Sequence, residues 1–307
     1  MDPNTDLDNF GTMVFFGRVD RVKDDIRRRL QNYGGNHLSF DCSVAHLLSS
    51  PESQPQHTRL EKVAEEIFKL RYGAARTPIM NCIGQARILL PQLRDAHLEI
   101  ARYILDTFAP VVNKRVNIVD APDLAGTTAL AHAISTKPAF DPEFAQVLWE
   151  AGGNINRRNR YGATAAHEFC MVWKPDDRAI LNRAKDTLKW FLEHGGNTEL
   201  ADGDGMKPSN MIMRIRGGLE MILKDHEAKR RQRGREPKRA CVTCGERDRK
   251  LKECSRCEST RYCAPPRRCQ RADWSVHRLT CKRPTAQHAR PDRQQVTGKR
   301  LESRTDF

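Results

Sequence analysis

The segment that decides the fold of the C-terminal third reads CVTCGERDRKLKECSRCESTRYCAPPRRCQRADWSVHRLTC, residues 241–281. It contains eight side chains of the kind that bind zinc, namely Cys241, Cys244, Cys254, Cys257, Cys263, Cys269, His277 and Cys281. Two cysteines separated by two residues can place both sulfurs on one ion, and His277 and Cys281 share one face of a helix. Seven thiolates and one imidazole are enough for two four-coordinate zinc ions. The spacing alone leaves open which ligands share an ion.

The two predicted zinc ions are structural rather than catalytic. Four protein ligands fill a tetrahedral zinc site and leave no position for water or substrate. The segment also has few aliphatic side chains and many charges, so it cannot bury enough apolar surface to fold alone. Metal binding must therefore supply its folding free energy.

The string Cys-x2-Cys, Cys-x2-Cys, Tyr-Cys, Cys-Gln-x2-Asp-Trp-x2-His-x3-Cys resembles the MYND zinc finger. The resemblance implies that the ligands of the two ions interleave along the chain. One ion would be held by Cys241, Cys244, Cys263 and Cys269. The other would be held by Cys254, Cys257, His277 and Cys281. The loop at residues 264–268 is longer than is usual in the family, so its geometry does not follow from the resemblance.

The same resemblance implies a peptide-binding site. MYND fingers bind short proline-containing peptides, and positions of their groove correspond to Ser255, Gln270 and Trp274 in this sequence. An exposed indole offers a flat surface to proline, and a glutamine amide can pair with an extended peptide backbone. A second interpretation of Trp274 stays open, in which the indole fills the interior of the finger.

Before the finger, the sequence shows a repeat. Two Gly-Gly-Asn triplets, at residues 152–154 and 195–197, lie 43 residues apart, and each follows an amphipathic run. Glycine commonly ends a helix, and self-similarity of this kind indicates stacked units. The stretches 126–130 and 162–167 resemble the Gly-x-Thr-Pro-Leu-His signature of ankyrin repeats. Looser matches occur at residues 77–79 and 205–208.

Ankyrin repeats combine a turn with two helices, and the threonine of the signature suits the N-cap of the first helix. The corresponding positions are, in chain order, Thr77, Thr128, Thr164 and Lys207. They lie 51, 36 and 43 residues apart, against a norm of about 33, so we expect insertions near 105–120 and 171–185. His167 stands at the signature histidine, whose imidazole is expected to hydrogen-bond the turn between repeats.

We predict a mainly α chain, with an ankyrin-repeat solenoid followed by a small zinc-stabilised finger that contains a short helix. The divisions are capping or degenerate repeat units at 1–74, the array at 75–217, a basic helical or flexible linker at 218–240, the MYND-type finger at 241–281 and a disordered basic tail at 282–307. Trp149 and Trp190 have the spacing of core residues, and His132 is expected to pack or face solvent. In the linker, Gly234 and Pro237 are expected to end any helix.

The net charge of +14 lies entirely in the last third of the chain. Residues 221–307 carry 25 Lys and Arg and 11 Asp and Glu, whereas residues 1–220 carry 28 of each sign. A basic segment can bind nucleic acid, an acidic protein or a nuclear import receptor, or it can serve solubility alone. The run at 229–239 resembles a nuclear import signal, and a solvated linker is the alternative.

These features favour a non-enzymatic adaptor without catalytic residues, in which the array binds other proteins and the finger binds proline-containing peptides, with a role in transcriptional regulation. The polar, acidic start and the absence of an apolar run near ~18 residues predict an intracellular protein of the nucleus or cytoplasm, with no membrane partner. One alternative is a nucleic-acid-associated regulator, although the basic third lacks interleaved aromatics for base stacking. The other is a methyltransferase-related enzyme, which would need a β-rich catalytic domain where residues 1–220 appear helical and repetitive.

Overall fold

The structure is a computed structural model, and it describes residues 2–33, 53–108, 118–135, 140–171, 176–215, 217–235, 241–243, 251–258, 260–263 and 268–282. Over these ranges the chain is mainly helical, as the sequence predicted. The predictions that concern Cys244, Pro237 and the tail beyond residue 282 lie outside the described residues.

Eleven described helices precede the finger: α1 (Asn9–Phe15), α2 (Val19–Asn32), α3 (Ser53–Lys69), α4 (Ile79–Leu89), α5 (Arg94–Phe108), α6 (Ala129–Ile134), α7 (Pro142–Glu150), α8 (Ala165–Cys170), α9 (Arg178–Glu193), α10 (Pro208–Arg214) and α11 (Leu219–Arg235). A short 3-10 turn, Pro91–Leu93, lies between α4 and α5. The finger adds β1 (Leu251–Glu253), β2 (Arg261–Cys263) and α12 (Arg268–Thr280). In the part of the chain that the structure describes, no helix combines the length and the apolarity that a membrane span requires.

Local sequence signals set where several of these helices begin. Asp8, Asp141 and Asp177 precede α1, α7 and α9, and each accepts a hydrogen bond from a backbone N–H of the first turn. Each helix then buries one apolar face. In α9, for example, Leu188 and Phe191 lie three residues apart and are fully buried.

The helices before the finger pack as five consecutive pairs: α1–α2, α4–α5, α6–α7, α8–α9 and α10–α11. The first helix of each pair packs against the first helix of the next pair. Among the second helices, α2 packs on α5, α5 on α7, and α9 on α11, while the additional helix α3 covers α2 and α5. One contiguous apolar core runs through the stack from Phe10 to Leu223.

Four β-turns join the units and lie side by side, at residues 73–76, 123–126, 159–162 and 202–205, and we call them the turn row. In each turn the N–H of the fourth residue donates to the carbonyl of the first, at 2.9–3.2 Å. Successive turns are joined by hydrogen bonds of 2.8–2.9 Å, from Leu124 to Ala75, from Arg160 to Ala125 and from Gly203 to Tyr161. A turn followed by two helices is the ankyrin unit, so the structure confirms the predicted ankyrin-like array.

Two signature threonines occupy the predicted cap positions. Thr128 accepts a hydrogen bond from the Ala131 N–H at 3.3 Å, and Thr164 is the N-cap residue of α8. His167 Nδ1 accepts from the Thr164 N–H at 3.0 Å, while Nε2 lies 3.0 Å from the Met206 carbonyl beside the next turn. The imidazole therefore bridges two units, as predicted.

The prediction for Thr77 is wrong by one residue. The N-cap of α4 is Pro78, whose carbonyl accepts the first helical N–H, from Cys82. Thr77 instead pairs with Tyr72 through two backbone hydrogen bonds of 2.8 and 3.0 Å, and it corresponds to the paired residue that directly follows each of the other three turns. Arg76 therefore occupies the left-handed fourth turn position, with φ 50°, that glycine occupies in the other three turns.

The structure explains the irregular spacing of the units at one of the two predicted insertions, the one at 171–185. Helix α9 has 16 residues against 9 in α7, so part of the predicted insertion at 171–185 is a longer second helix. The other predicted insertion, at 105–120, includes the end of α5, and residues 109–117 of it lie outside the described ranges.

Trp149 and Trp190 pack on the core while remaining partly exposed. His194 lies between them, with its ring centroid 4.7 Å from that of Trp149 and 3.9 Å from that of Trp190. His132 is half-buried, as a packing residue, and its Nε2 lies 3.1 Å from an Asp123 carboxylate oxygen. Burial disfavours the Asp123 carboxylate, but the hydrogen bonds from His132 and from the backbone lower the pKa of Asp123.

The predicted linker begins as the second helix of the last pair. Leu219 and Leu223 of α11 are buried in the core, and the helix packs on α9 and α10. The helix continues to Arg235, so the prediction that Gly234 ends it is wrong. A glycine costs a helix only about 1 kcal/mol, which the good helix formers before it can offset.

Gly162 and Gly205 offer a matched test of the turn row. Both have left-handed φ, 77° and 80°. A Cβ at position 162 would lie 2.8 Å from the backbone nitrogen of Gly203, whereas a Cβ at position 205 meets nothing within 4 Å. We expect Gly162→Ala to lower the free energy of unfolding by ~1–3 kcal/mol more than Gly205→Ala does, measured by urea titration. Equal losses would show that contact between the turns is not tight.

Candidate metal centre

The finger places its cysteines on a hairpin and a helix. Strands β1 and β2 pair antiparallel, with Leu251 opposite Cys263. Cys254 follows β1 directly, and its carbonyl accepts a 2.9 Å hydrogen bond from the Glu258 N–H. This hydrogen-bonded turn carries both Cys254 and Cys257. Helix α12 carries Cys269 and His277, and Cys281 directly follows its end.

Four buried side chains meet between this turn and α12: Cys254, Cys257, His277 and Cys281. Their ligand atoms all lie within 4.8 Å of one another. The sulfurs of Cys254 and Cys281 are 3.8 Å apart, and His277 Nε2 lies 3.3 Å from the Cys254 sulfur and 3.5 Å from the Cys257 sulfur. Tetrahedral zinc with bonds of ~2.3 Å to sulfur and ~2.0–2.1 Å to nitrogen separates its ligands by about 3.8 and 3.5 Å. These side chains therefore have the spacing of a tetrahedral zinc site.

A second buried group contains Cys241, Cys263 and Cys269, whose sulfurs also lie within 4.8 Å of one another. The Thr243 hydroxyl supports it by donating a 3.1 Å hydrogen bond to the Cys269 carbonyl. Cys244, the fourth predicted member, lies outside the described residues. The structure thus brings seven of the eight predicted ligands together in two interleaved groups.

The chemistry of the donors fits a divalent metal. Burial and a hydrogen bond with Cys254 raise the pKa of Cys281 to about 11, and Cys257 adds to the rise. Closely spaced buried thiols ionise together only when a cation supplies compensating charge. Sulfur and imidazole donors at tetrahedral spacing suit zinc, whereas magnesium and calcium take oxygen ligands.

The family comparison agrees with this geometry, because residues 241–281 match the family model of the MYND finger. The segment is a MYND finger. Zinc binding follows from membership of this family of zinc fingers, and the two buried groups are its candidate metal sites.

Among solved structures, an ankyrin repeat domain from Acinetobacter baumannii AYE is similar to this chain at 16% identity. The similarity covers 71% of this chain and 97% of that chain, with a TM-score of 0.40. With so low a score, the identification of the array rests on its own turns and helix pairs.

The MYND finger fills its interior with Tyr262 and not with Trp274. Tyr262 is 1% exposed, and its ring lies edge-on to that of His277, 5.9 Å away. Trp274 is 41% exposed, so the interpretation in which it fills the interior is wrong. Ser255 is exposed as well, and Gln270, one helical turn before Trp274, is half-buried.

A buried carboxylate joins the MYND finger to the array. Asp273 accepts a 2.8 Å hydrogen bond from the Tyr262 hydroxyl and forms an ion pair with Arg230 of α11. Burial and the Asp273 charge raise the pKa of Tyr262, which keeps the hydroxyl a donor. Nothing in the sequence marks Arg230 as the partner of Asp273, because Arg230 lies within a basic run and is 43 residues before Asp273.

Arg230→Ala tests this junction. Asp273 would keep its hydrogen bond from Tyr262 but lose its ion pair with Arg230 while still buried. We expect this to lower the free energy of unfolding of the finger by about 1–3 kcal/mol. We expect chelator-driven zinc release from the full-length protein to be about 5- to 150-fold faster, followed with a colorimetric zinc reagent. The control is Lys229→Ala, which removes the neighbouring cation of α11 and its exposed pair with Asp225. Similar release rates in the two variants would contradict a specific junction.

Proposed function

We propose that this protein is a non-enzymatic adaptor whose array and MYND finger bind different protein segments. The observation that carries the proposal is the arrangement around α12, where buried ligands stand beside an exposed Trp274. Zinc sites closed by four protein ligands offer no position for a substrate, which favours binding over catalysis. Ankyrin repeats and MYND fingers are in general protein-interaction modules, which supports the same role.

We infer that the finger holds two structural zinc ions. One set of ligands is Cys254, Cys257, His277 and Cys281, and the other is Cys241, Cys263 and Cys269 with Cys244. Bound zinc supplies the charge and the cross-links that a domain with so little apolar interior needs in order to fold. The hairpin and α12 orient the ligands, and the Tyr262 ring packs against His277.

Metal analysis of the purified full-length protein should give two zinc ions per chain, one for each ligand group. Cys263→Ser should remove one ion and His277→Ala the other, because each change deletes one of four ligands. Cys82→Ala is the control, since Cys82 is a buried cysteine of α4 outside both groups. A single ion in the unaltered protein would contradict the proposal.

The peptide site is proposed on the outer face of α12. Trp274 and Gln270 are four residues apart, so they lie on one face of the helix. Ser255 follows Cys254, whose sulfur lies 3.3 Å from His277 Nε2, so its turn approaches the same helix. A proline ring would pack on the Trp274 indole and the peptide backbone would pair with the Gln270 amide, while Ser255 would lie at the side of the same groove.

Trp274→Ala should weaken binding of proline-containing peptides at least ~30-fold, because loss of an aromatic anchor typically costs about 2 kcal/mol or more. Both zinc ions should remain bound, since the exposed indole is not a ligand. Fluorescence anisotropy on peptides taken from a proline-containing array measures the first effect, and metal analysis measures the second. Tyr33→Ala is the control, because Tyr33 is equally exposed, at 41%, but lies at the end of α2 in the capping region. Unchanged peptide affinity would rule out this groove.

We also infer an intracellular location, in the nucleus or cytoplasm, because thiols that bind zinc must stay reduced. The division into capping region, array, linker, finger and tail is retained as a proposal, with α11 shared between array and linker. A role in transcriptional regulation stays a prediction.

A further inference from the structure

The turn row presents two large, exposed side chains to solvent, Leu124 and Tyr161. Leu124 is 54% exposed and Tyr161 is 67% exposed, although both are large and apolar or aromatic. They stand on adjacent turns, because the Arg160 N–H donates to the Ala125 carbonyl at 2.9 Å. Side chains as exposed as these contribute little to the core, and here two of them lie on adjacent turns and form a small apolar patch.

Several arginines lie on the same turns as these two side chains or next to them. Arg76 ends the first turn, Arg157 and Arg158 precede the third, and Arg160 is the second residue of the third. Among the residues that the structure describes, none of these four guanidinium groups forms an ion pair, and Arg160 donates only to the Leu124 carbonyl, at 3.2 Å. The row is therefore a basic surface with an apolar centre.

Most carboxylates of the same turns accept hydrogen bonds from backbone N–H groups within or next to their own turn. Asp202 accepts hydrogen bonds from the N–H groups of Asp204 and Met206, and Asp123 accepts one from Thr127. These aspartates shape the backbone and are half-buried, whereas Arg76, Arg158 and Arg160 are exposed. Only Asp204, at the far end of the row, adds an exposed negative charge among the described turn residues.

Arg76 adds an independent observation. Its φ of 50° lies in a region that side-chain-bearing residues rarely occupy, and the three equivalent turn positions are all glycine. A glycine at position 76 would remove that backbone strain. Strained backbone of this kind is concentrated at functional sites, and the Arg76 side chain is exposed to a partner.

We propose that the turn row binds an acidic segment of a partner protein that also carries an apolar side chain. The apolar side chain packs on Leu124 and Tyr161, and the carboxylates pair with Arg76, Arg158 and Arg160. A protein segment fits better than nucleic acid, because Leu124 offers nothing to a phosphate or a base edge and Asp204 repels a phosphate backbone. The inference rests on the adaptor function proposed above but concerns the array alone.

The experiment isolates the array by using the full-length, zinc-loaded protein with Trp274→Ala as the bait. A displayed library of random peptides is selected on this bait, and the enriched peptides are resynthesised for fluorescence anisotropy. We expect them to carry net negative charge and at least one apolar side chain. The double change Arg158→Glu and Arg160→Glu should weaken their binding at least ~10-fold, as should Tyr161→Ala.

Matched controls come from exposed side chains outside the turn row. Arg183→Glu on α9 removes an exposed arginine, and Met213→Ala truncates an apolar side chain that is 55% exposed. Both controls should leave binding unchanged. Arg76→Gly should weaken binding while the thermal unfolding midpoint stays the same or rises, a combination that a merely structural role for Arg76 would not give.

Three results would overturn the proposal. The first is a selection that enriches no peptide. The second is a set of enriched peptides whose binding ignores the changes at Tyr161, Arg158 and Arg160. The third is a single-stranded RNA oligonucleotide that binds through the same arginines while the peptides do not. Each of them leaves the peptide site of the finger standing, because that site is absent from the bait.

Discussion

The array depends on apolar burial that no helix pair can complete alone. Each pair has one apolar face, and the core from Phe10 to Leu223 is continuous only because neighbouring pairs cover one another. The turns fix how closely the pairs approach, since a Cβ at Gly126 would lie 2.7 Å from the backbone nitrogen of Arg160. The second helices have more freedom, and α9 is longer than α7 without interrupting the stack.

The finger meets the same requirement with different chemistry. Over the described residues its interior consists mainly of cysteine sulfurs, one imidazole and the Tyr262 ring, with Val242 and Leu251 partly buried against them, which is too little apolar surface to hold a fold by burial alone. Asp273 connects the two parts of the chain, because one carboxylate oxygen serves the Tyr262 hydroxyl and the other serves Arg230 of the array. A group that orders the interior of the finger therefore also sets where the finger sits.

Much of this arrangement follows from local sequence chemistry. Cysteine and histidine spacing predicts the ligand groups, and glycines with φ > 0 mark three of the four turns. The position of Thr77 was missed because Pro78 occupies the cap position of this unit and Arg76 occupies the position that is glycine in the other three turns, so the signature was aligned one residue too early. The partnership of Arg230 with Asp273 was missed for a different reason, since many arginines compete for that role in the sequence and only tertiary packing selects one.

Helix α11 lies between the array and the finger, which carry the two proposed recognition surfaces. It is anchored in the core at Leu219 and held to the finger at Arg230, so these ends are about 17 Å apart along the helix axis. A partner that engaged both the turn row and the finger would bind its second site at an effective concentration set by the distance between those two sites, which depends on how α11 holds the finger on the array. Partners would then be sorted by the length of the chain between their two motifs, because a segment too short to span the distance gains nothing from the second site.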